Sequence, residues 1–99
     1  PAEAHDLMQA NSENPNFVII DDRIVEEYDY GHIANAVNIP YGPDFNTRLG
    51  SLDKDKVYLV YCNTGCGATS AAMKELGFGE VYEIRGGLDA WMSQGLPIE

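Results

Sequence analysis

A glycine-rich segment with two cysteines follows a short apolar run past the middle of the chain. The segment reads Cys62-Asn63-Thr64-Gly65-Cys66-Gly67, and the run before it is Val57–Tyr61. We predict a strand, a turn and a helix here, and such a turn directs several backbone N–H groups to one point beside the positive end of the helix dipole. A thiol at that point is expected to ionise readily, and the thiolate is the reactive form. The pattern therefore predicts nucleophilic sulfur chemistry at Cys62.

A structural role for the two cysteines is not expected. A disulfide between Cys62 and Cys66 would close only a very short loop, whereas stabilising disulfides close long ones. Zinc binding is also not expected, because His5 and His32 lie far upstream and form no recognisable ligand pattern with the cysteines. The sequence therefore predicts no metal and no other cofactor. The alternative for Cys62 is an inert thiol buried at the end of a strand.

The rest of the sequence alternates short apolar runs with helical patterns. Predicted strands cover residues 17–20, 36–39, 57–61 and 81–84, and predicted helices cover residues 2–10, 25–30, 45–49, 68–76 and 88–94. Such alternation is typical of βαβ units that form a parallel sheet with helices on both faces. Right-handed crossovers bring the carboxyl ends of the strands to one edge, where α/β proteins place their sites. Cys62 follows one of these ends, and Arg85 follows another.

Length and composition favour one soluble globular domain over residues 1–99. The hydrophobic share is 44%, and no apolar run approaches the roughly 20 residues of a membrane-spanning helix. Sixteen acidic residues against six basic ones give a formal net charge of −10. Nucleic acid and anionic membranes are bound by clustered Lys and Arg, so neither is expected as a partner. A cytoplasmic location is expected, and a periplasmic one would fit a processed chain, since the sequence begins at Pro1 without methionine.

Three blocks of the sequence carry a family resemblance. Residues 21–40 contain D-x-R, E-E-Y and G-H-I-x-x-A-x-N-I-P, residues 60–65 contain the start of a C-x-x-G loop, and residues 77–91 contain G-F, V-Y and G-G-L-D-A-W. In this order and spacing, over almost the whole chain, the blocks resemble the single-domain rhodanese-like (sulfurtransferase) family. The resemblance implies a three-layer α/β/α sandwich around a mostly parallel, five-stranded sheet.

The resemblance also implies a persulfide mechanism at Cys62. The cysteine would take the outer sulfur of a small anionic donor such as thiosulfate and hold it as Cys–S–S⁻, until cyanide or a thiol removes it. The residues expected to contact the donor are Asn63, Thr64, Gly65, Cys66, Gly67 and Arg85. For Arg85 the alternative is simple exposure to solvent. A protein of a sulfur relay is a further partner that the resemblance allows.

The segment after Cys62 departs from the family pattern in its charge. The family's loop often carries a basic or hydroxyl side chain in its second half, whereas residues 63–67 offer no cation. Anion recognition would then rest on backbone dipoles and Thr64, inside a protein with a net charge of −10. We therefore predict weak binding of thiosulfate, with a KM not well below about 1 mM, the upper end of the usual enzyme range.

Cys66 has two interpretations. It could be a resolving thiol that attacks a persulfide or sulfenic acid on Cys62 and closes a disulfide within the segment. The alternative, which we favour, is a small residue that fills space near the start of the helix, as serine would. If it resolves, Cys66→Ser lengthens the lifetime of the persulfide, and intact-mass analysis measures that lifetime.

Other conspicuous residues favour structural roles. Asp21 and Arg23 could form an acid–base pair, but a carboxylate that caps the next turn and a guanidinium that bridges segments are expected instead. A hydrogen-bonded structural role is expected for His32, and a core position for Trp91.

The leading interpretation is a sulfurtransferase of the thiosulfate:cyanide type that acts through a Cys62 persulfide. One alternative is a low-turnover sulfur carrier or regulatory module, and another is a thiol–disulfide redox protein that uses Cys62 and Cys66. Thiocyanate formation that requires Cys62 supports the enzyme. A stable sulfur adduct without turnover supports the carrier, and the loss of two hydrogens under mild oxidation supports the redox protein.

Overall fold

A parallel sheet forms the centre of the structure, a computed structural model that describes residues 2–42, 44–64 and 67–99. The strands are β1 (Phe17–Asp21), β2 (Val37–Asn38), β3 (Val57–Tyr61) and β4 (Glu80–Glu83). Their order across the sheet is β2-β1-β3-β4, and every neighbouring pair is parallel. The carboxyl ends of the strands therefore meet at one edge, with β1 beside β3.

Helices connect the strands and cover the sheet. They are α1 (Ala2–Ala10), α2 (Val25–Tyr30), α3 (Phe45–Gly50), α4 (Ala68–Glu75) and α5 (Gly87–Ser93). Every predicted boundary lies within one residue of the observed one. The end of α4 shows why: Gly77 has a φ of 95°, and the N–H groups of Gly77 and Phe78 donate to the carbonyls of Lys74 and Met73. This is a Schellman motif, in which glycine is the residue that adopts a left-handed backbone without strain.

The two central strands are buried on both faces, which confirms the predicted three layers. One face packs against α1 and α5 through Ile19, Leu59, Tyr61, Ala4, Leu88 and Trp91. The other face packs against α3 and α4 through Ile20, Tyr58, Val60, Phe45, Leu49 and Met73. Successive side chains of a strand point to opposite faces, so the continuous apolar runs of β1 and β3 supply both cores at once.

The number of strands corrects one expectation. The family resemblance implies five strands, whereas the described residues form a sheet of four. Outside that sheet, His32 and Glu99 exchange two backbone hydrogen bonds, of 3.0 Å and 2.7 Å. This pairing does not extend into a strand, because Pro97 has no N–H to donate and its carbonyl accepts a hydrogen bond from the Trp91 indole.

Candidate functional site

Cys62 is the first residue after β3, at the carboxyl edge of the sheet. Its backbone carbonyl accepts a hydrogen bond of 2.8 Å from the N–H of Leu88, and the carbonyl of Asn63 accepts one of 3.0 Å from the N–H of Asp89. Leu88 and Asp89 lie in the first turn of α5, where N–H groups have no partner inside the helix. The start of α5 therefore holds the backbone of residues 62 and 63 in place.

A cavity of about 380 Å³ opens beside Cys62. It is lined by two carboxylates and one cation, by apolar residues, and by the start of the segment that carries the thiol. These residues are Asp22, Glu27 and Arg23, then Ile24, Tyr41 and Ala68, and finally Cys62, Asn63 and Thr64. Cys62 is itself partly exposed. A small molecule in this cavity can therefore contact it.

Asn63 ties the start of this segment to two other parts of the chain. Its Nδ2 donates to Oε2 of Glu27 in α2 at 2.7 Å. Its Oδ1 lies 3.5 Å from Nη1 of Arg23, which is at the limit of a hydrogen bond. The side chain of Asn63 thus fixes residues 62–64 against the segment that follows β1. Thr64 is exposed and adds a hydroxyl to the cavity.

A buried ion pair between Asp21 and Arg23 supports the floor of the cavity. Nη2 of Arg23 lies 2.7 Å from Oδ2 of Asp21, whose side chain is fully buried. The backbone N–H of Arg23 donates to Oδ1 of Asp21 at 2.9 Å, and its guanidinium also donates to the carbonyl of Gly31. These are the capping and bridging contacts that the sequence predicts.

The same ion pair perturbs its neighbours. Burial alone would lower the pKa of Arg23, but its hydrogen bonds to Asp21 reverse that effect and raise the pKa. The hydroxyl of Tyr61 donates to Oδ2 of Asp21 at 2.7 Å, and burial together with this contact raises the pKa of Tyr61. Arg23 is therefore a permanent cation and Tyr61 a permanent neutral donor under the site.

Asp22 is a site residue that sequence reasoning missed. It follows β1, and its backbone N–H donates to the carbonyl of Tyr61 at 3.1 Å, so the strand pairing brings it next to Cys62. Its carboxylate accepts a hydrogen bond from the hydroxyl of Thr69 in the first turn of α4. Burial raises the pKa of Asp22, although the Thr69 hydroxyl acts in the opposite direction. Its position after the neighbouring strand, at the same edge as Cys62, is the signal that could have found it.

The structure does not bring every predicted site residue into this cavity. Gly67 immediately precedes α4, and its carbonyl accepts hydrogen bonds from the N–H of Ala71 and the hydroxyl of Ser70. Arg85 is exposed and lines a separate cleft of about 270 Å³ with Glu3, Glu83 and Gln94. Gly65 and Cys66 lie outside the described residues, so their roles in donor binding and in resolving a persulfide stay predictions.

Two further properties bear on the class of protein. Within residues 2–42, 44–64 and 67–99, no group of three or more His, Cys, Asp or Glu side chains is placed to hold a metal ion. Over the same residues, no helix has both the length and the apolar character needed to cross a membrane.

Comparisons with known proteins agree with the fold. A sequence model of the rhodanese-like domain matches residues 3–94. A sulfurtransferase of Allochromatium vinosum is 29% identical over 98 residues, which cover 97% of this chain and 91% of that protein. The crystal structure of the Alr3790 protein of Anabaena sp. superposes with a TM-score of 0.78 and 32% identity, over 95% of this chain and 78% of that one.

A second group of relatives is much longer than this chain. A tRNA uridine(34) hydroxylase of Enterobacter sp. is 36% identical over 103 residues, which cover 92% of this chain but 29% of the hydroxylase. Two hydroxylases of the same name from strains of Legionella pneumophila are 36% identical, and the chain covers 36% of their length. These matches therefore concern one domain of a larger protein.

Proposed function

This chain belongs to the rhodanese-like domain family, and from that premise we propose that it transfers sulfane sulfur through a persulfide on Cys62. The observation that carries the proposal is the place of this thiol, partly exposed in an open cavity at the carboxyl edge of a parallel sheet. Ligands of open α/β sheets bind at that edge. A thiolate there can attack a donor and release the sulfur again, because both steps are displacements at sulfur.

The reaction balances as two displacements. The Cys62 thiolate attacks the outer sulfur of a donor such as thiosulfate, an S–S bond forms, and sulfite leaves with the electron pair of the broken S–S bond. Cyanide or a thiolate then attacks the outer sulfur of Cys–S–S⁻, which gives thiocyanate or a new persulfide and restores the Cys62 thiolate. No external oxidant or reductant takes part.

The described residues would support these steps by positioning. The first turn of α5 fixes the backbone of Cys62 and Asn63, and the Asn63 side chain holds the segment against Glu27. Residues that hold the reacting thiol in a productive geometry lower the activation barrier, even though they take no part in the reaction themselves.

The longer relatives do not change this proposal. The names of those hydroxylases refer to a tRNA, but the matched domain is about a third of their length. A formal net charge of −10 disfavours RNA binding by this chain itself, since phosphates are bound by clustered Lys and Arg. Sulfur chemistry at Cys62 is the function that the domain on its own supports best.

The test is thiocyanate formation from thiosulfate and cyanide. We expect turnover in the wild type at thiosulfate concentrations above about 1 mM, and none above background in Cys62→Ser. Asn46→Ala, on the exposed side of α3 and outside the cavity lining, is the control and should keep full activity. Equal turnover in the wild type and in Cys62→Ser would refute the proposal. A sulfur adduct that forms without turnover would favour a carrier instead.

A further inference from the structure

We propose that Asp22 and Glu27 make the Cys62 cavity select its sulfur donor by charge, against dianions such as thiosulfate and in favour of alkyl hydropersulfides whose carbon chain carries no charge or a cation. The inference rests on the proposed function and names the donor class for it. It starts from the charges that line the cavity, which are two carboxylates and one guanidinium.

The guanidinium offsets the two carboxylates only in part, because it is itself paired with Asp21. Nε and Nη2 of Arg23 both donate to Asp21, and Nη2 also donates to the carbonyl of Gly31. Arg23 is 8% exposed and Asp21 is fully buried, so the pair is neutral as a unit and is largely buried, with Arg23 on the cavity lining. The remaining nitrogen, Nη1, points toward Asn63. An incoming anion therefore meets no uncompensated cation on the described lining.

Asp22 places a carboxyl group in the same cavity as the thiol. It is 7% exposed, and a hydroxyl, that of Thr69, donates to its carboxylate. Within the described part of the chain, the one ion pair is that of Arg23 with Asp21, so no cation pairs with Asp22. A carboxylate on the lining that Asp22 shares with Cys62 repels a dianion that must approach the thiol.

Glu27 adds a second carboxylate to the cavity lining. Its Oε2 accepts the hydrogen bond of 2.7 Å from Asn63, the neighbour of Cys62 in the chain. That contact fixes the carboxylate beside the cavity without neutralising it, because an amide carries no charge. The formal net charge of −10 on the whole protein acts in the same direction.

The apolar part of the lining suits an alkyl group. Ile24 and Tyr41 line the cavity and are 51% and 62% exposed. The ring of Tyr41 lies 4.7 Å from that of Phe45, whose side chain is buried, so the exposed ring has a fixed support. A donor with a short carbon chain covers this surface, whereas thiosulfate has no apolar part to place there.

In the reaction with an alkyl hydropersulfide, the Cys62 thiolate attacks the terminal sulfur, a new S–S bond forms, and the alkyl thiolate leaves with the electron pair of the broken S–S bond. The experiment compares donors that share this persulfide group and differ in the charge at the other end of the chain. Freshly generated hydropersulfides of cysteamine, 2-mercaptoethanol and 3-mercaptopropionate carry an ammonium, a hydroxyl and a carboxylate there, and thiosulfate is the fourth donor. The rate of sulfur addition to Cys62 is measured by intact mass for each donor, at low ionic strength and at a pH well above the ordinary carboxyl range. We expect the cationic donor to react about tenfold faster than the anionic one.

Two variants assign that preference to the carboxylates. Asp22→Asn keeps an oxygen for the Thr69 hydroxyl, and Glu27→Gln keeps one for Asn63, so each removes a charge and little else. Each variant should reduce the cation-to-anion rate ratio about threefold, and added salt should reduce it in the wild type. Glu26→Gln, next to Glu27 on the exposed surface and outside the cavity lining, is the matched control and should leave the ratio unchanged.

The possible results distinguish the proposed sulfur transfer from the proposed charge selection. Sulfur addition from no donor at all overturns the proposed function and this inference together. Addition from every donor at equal rates, or a ratio that Glu26→Gln changes as much as Glu27→Gln does, overturns the charge selection and leaves the sulfur transfer standing. Glu27 is at the surface, so Glu27→Gln carries the test by itself if Asp22→Asn fails to fold.

Discussion

The backbone carbonyl of Cys62 accepts a hydrogen bond of 2.8 Å from the N–H of Leu88. Cys62 directly follows β3, and Leu88 lies in the first turn of α5. Because of this contact, the position of the thiol depends on how α5 begins. That beginning is set by Gly86, which precedes α5 with a φ of 77°. Substitutions at Gly86 should therefore affect stability and sulfur chemistry together.

Gly86→Ala should destabilise the protein. A Cβ at this position would lie 2.6 Å from the Cβ of Ala90, and the left-handed backbone is unfavourable for alanine. We expect the free energy of unfolding to fall by about 2 kcal/mol, measured by urea denaturation, and the sulfur-loading rate of Cys62 to fall with it. At Gly79 a Cβ would meet no atom within 4 Å, so Gly79→Ala is the control and should change the free energy by no more than about 1 kcal/mol. Equal effects of the two substitutions would contradict this account of Gly86.

Asp21→Ala should be among the most destabilising single substitutions at the site. It leaves the buried guanidinium of Arg23 without its partner and the hydroxyl of Tyr61 without its acceptor. Loss of one partner of a buried ion pair costs about 3–5 kcal/mol, which urea denaturation would detect. Asp29→Ala, at an exposed position of α2, should change the free energy of unfolding by less than about 0.5 kcal/mol. A loss of less than about 1 kcal/mol for Asp21→Ala would show that the pair does not hold the cavity floor.

The raised pKa of Asp22 predicts a pH dependence of stability. Burial disfavours the charged carboxylate, so the folded protein binds this proton more tightly than the unfolded chain does. The contribution of Asp22 to the free energy of unfolding is therefore largest at a pH below the ordinary carboxyl pKa. It decreases as the pH rises through the raised pKa of the folded protein. Asp22→Asn has no charge to bury, so its Tm relative to the wild type should rise with pH over that interval. A constant Tm difference from acid to neutral pH would be inconsistent with a desolvated Asp22.

Asn63→Ala should slow sulfur loading while the fold stays intact. The substitution removes the contacts that tie the segment after β3 to Glu27 and Arg23, and small displacements of a reacting group cost about 10- to 100-fold in rate. Asn63→Asp should be at least as slow, because it places a carboxylate against Glu27. Loading rates by intact mass and unfolding curves on the same samples separate positioning from stability. An Asn63→Ala variant that loads sulfur at the wild-type rate would remove the positioning role.

Local patterns in the sequence predict the elements and the position of Cys62, because both depend on neighbours in the chain. The limits of β1 and β3 follow from their apolar runs, and the end of α4 follows from the glycine after it. These boundaries can be predicted without knowing the rest of the fold. The family resemblance likewise predicts the layers, although the described sheet has four strands and not five.

The cavity walls could not be predicted in the same way. Asp22 and Arg23 reach Cys62 only because β1 pairs with β3, which places residues about 40 positions apart side by side. Arg85 shows the converse: it follows β4 at the expected edge, yet it lines a different cleft with Glu3 and Glu83. The sheet edge of a residue follows from the strand order, but the direction of its side chain depends on local packing.

Sulfur loading of Cys62 tests the central claim most directly. The wild type, Cys62→Ser and Cys66→Ser are each incubated with the cysteamine hydropersulfide and analysed by intact mass and by peptide mapping. The account predicts one added sulfur atom on Cys62 in the wild type and in Cys66→Ser, removed by cyanide as thiocyanate, and no added sulfur in Cys62→Ser. Sulfur that still adds to Cys62→Ser, or a wild-type Cys62 that acquires none, would contradict it.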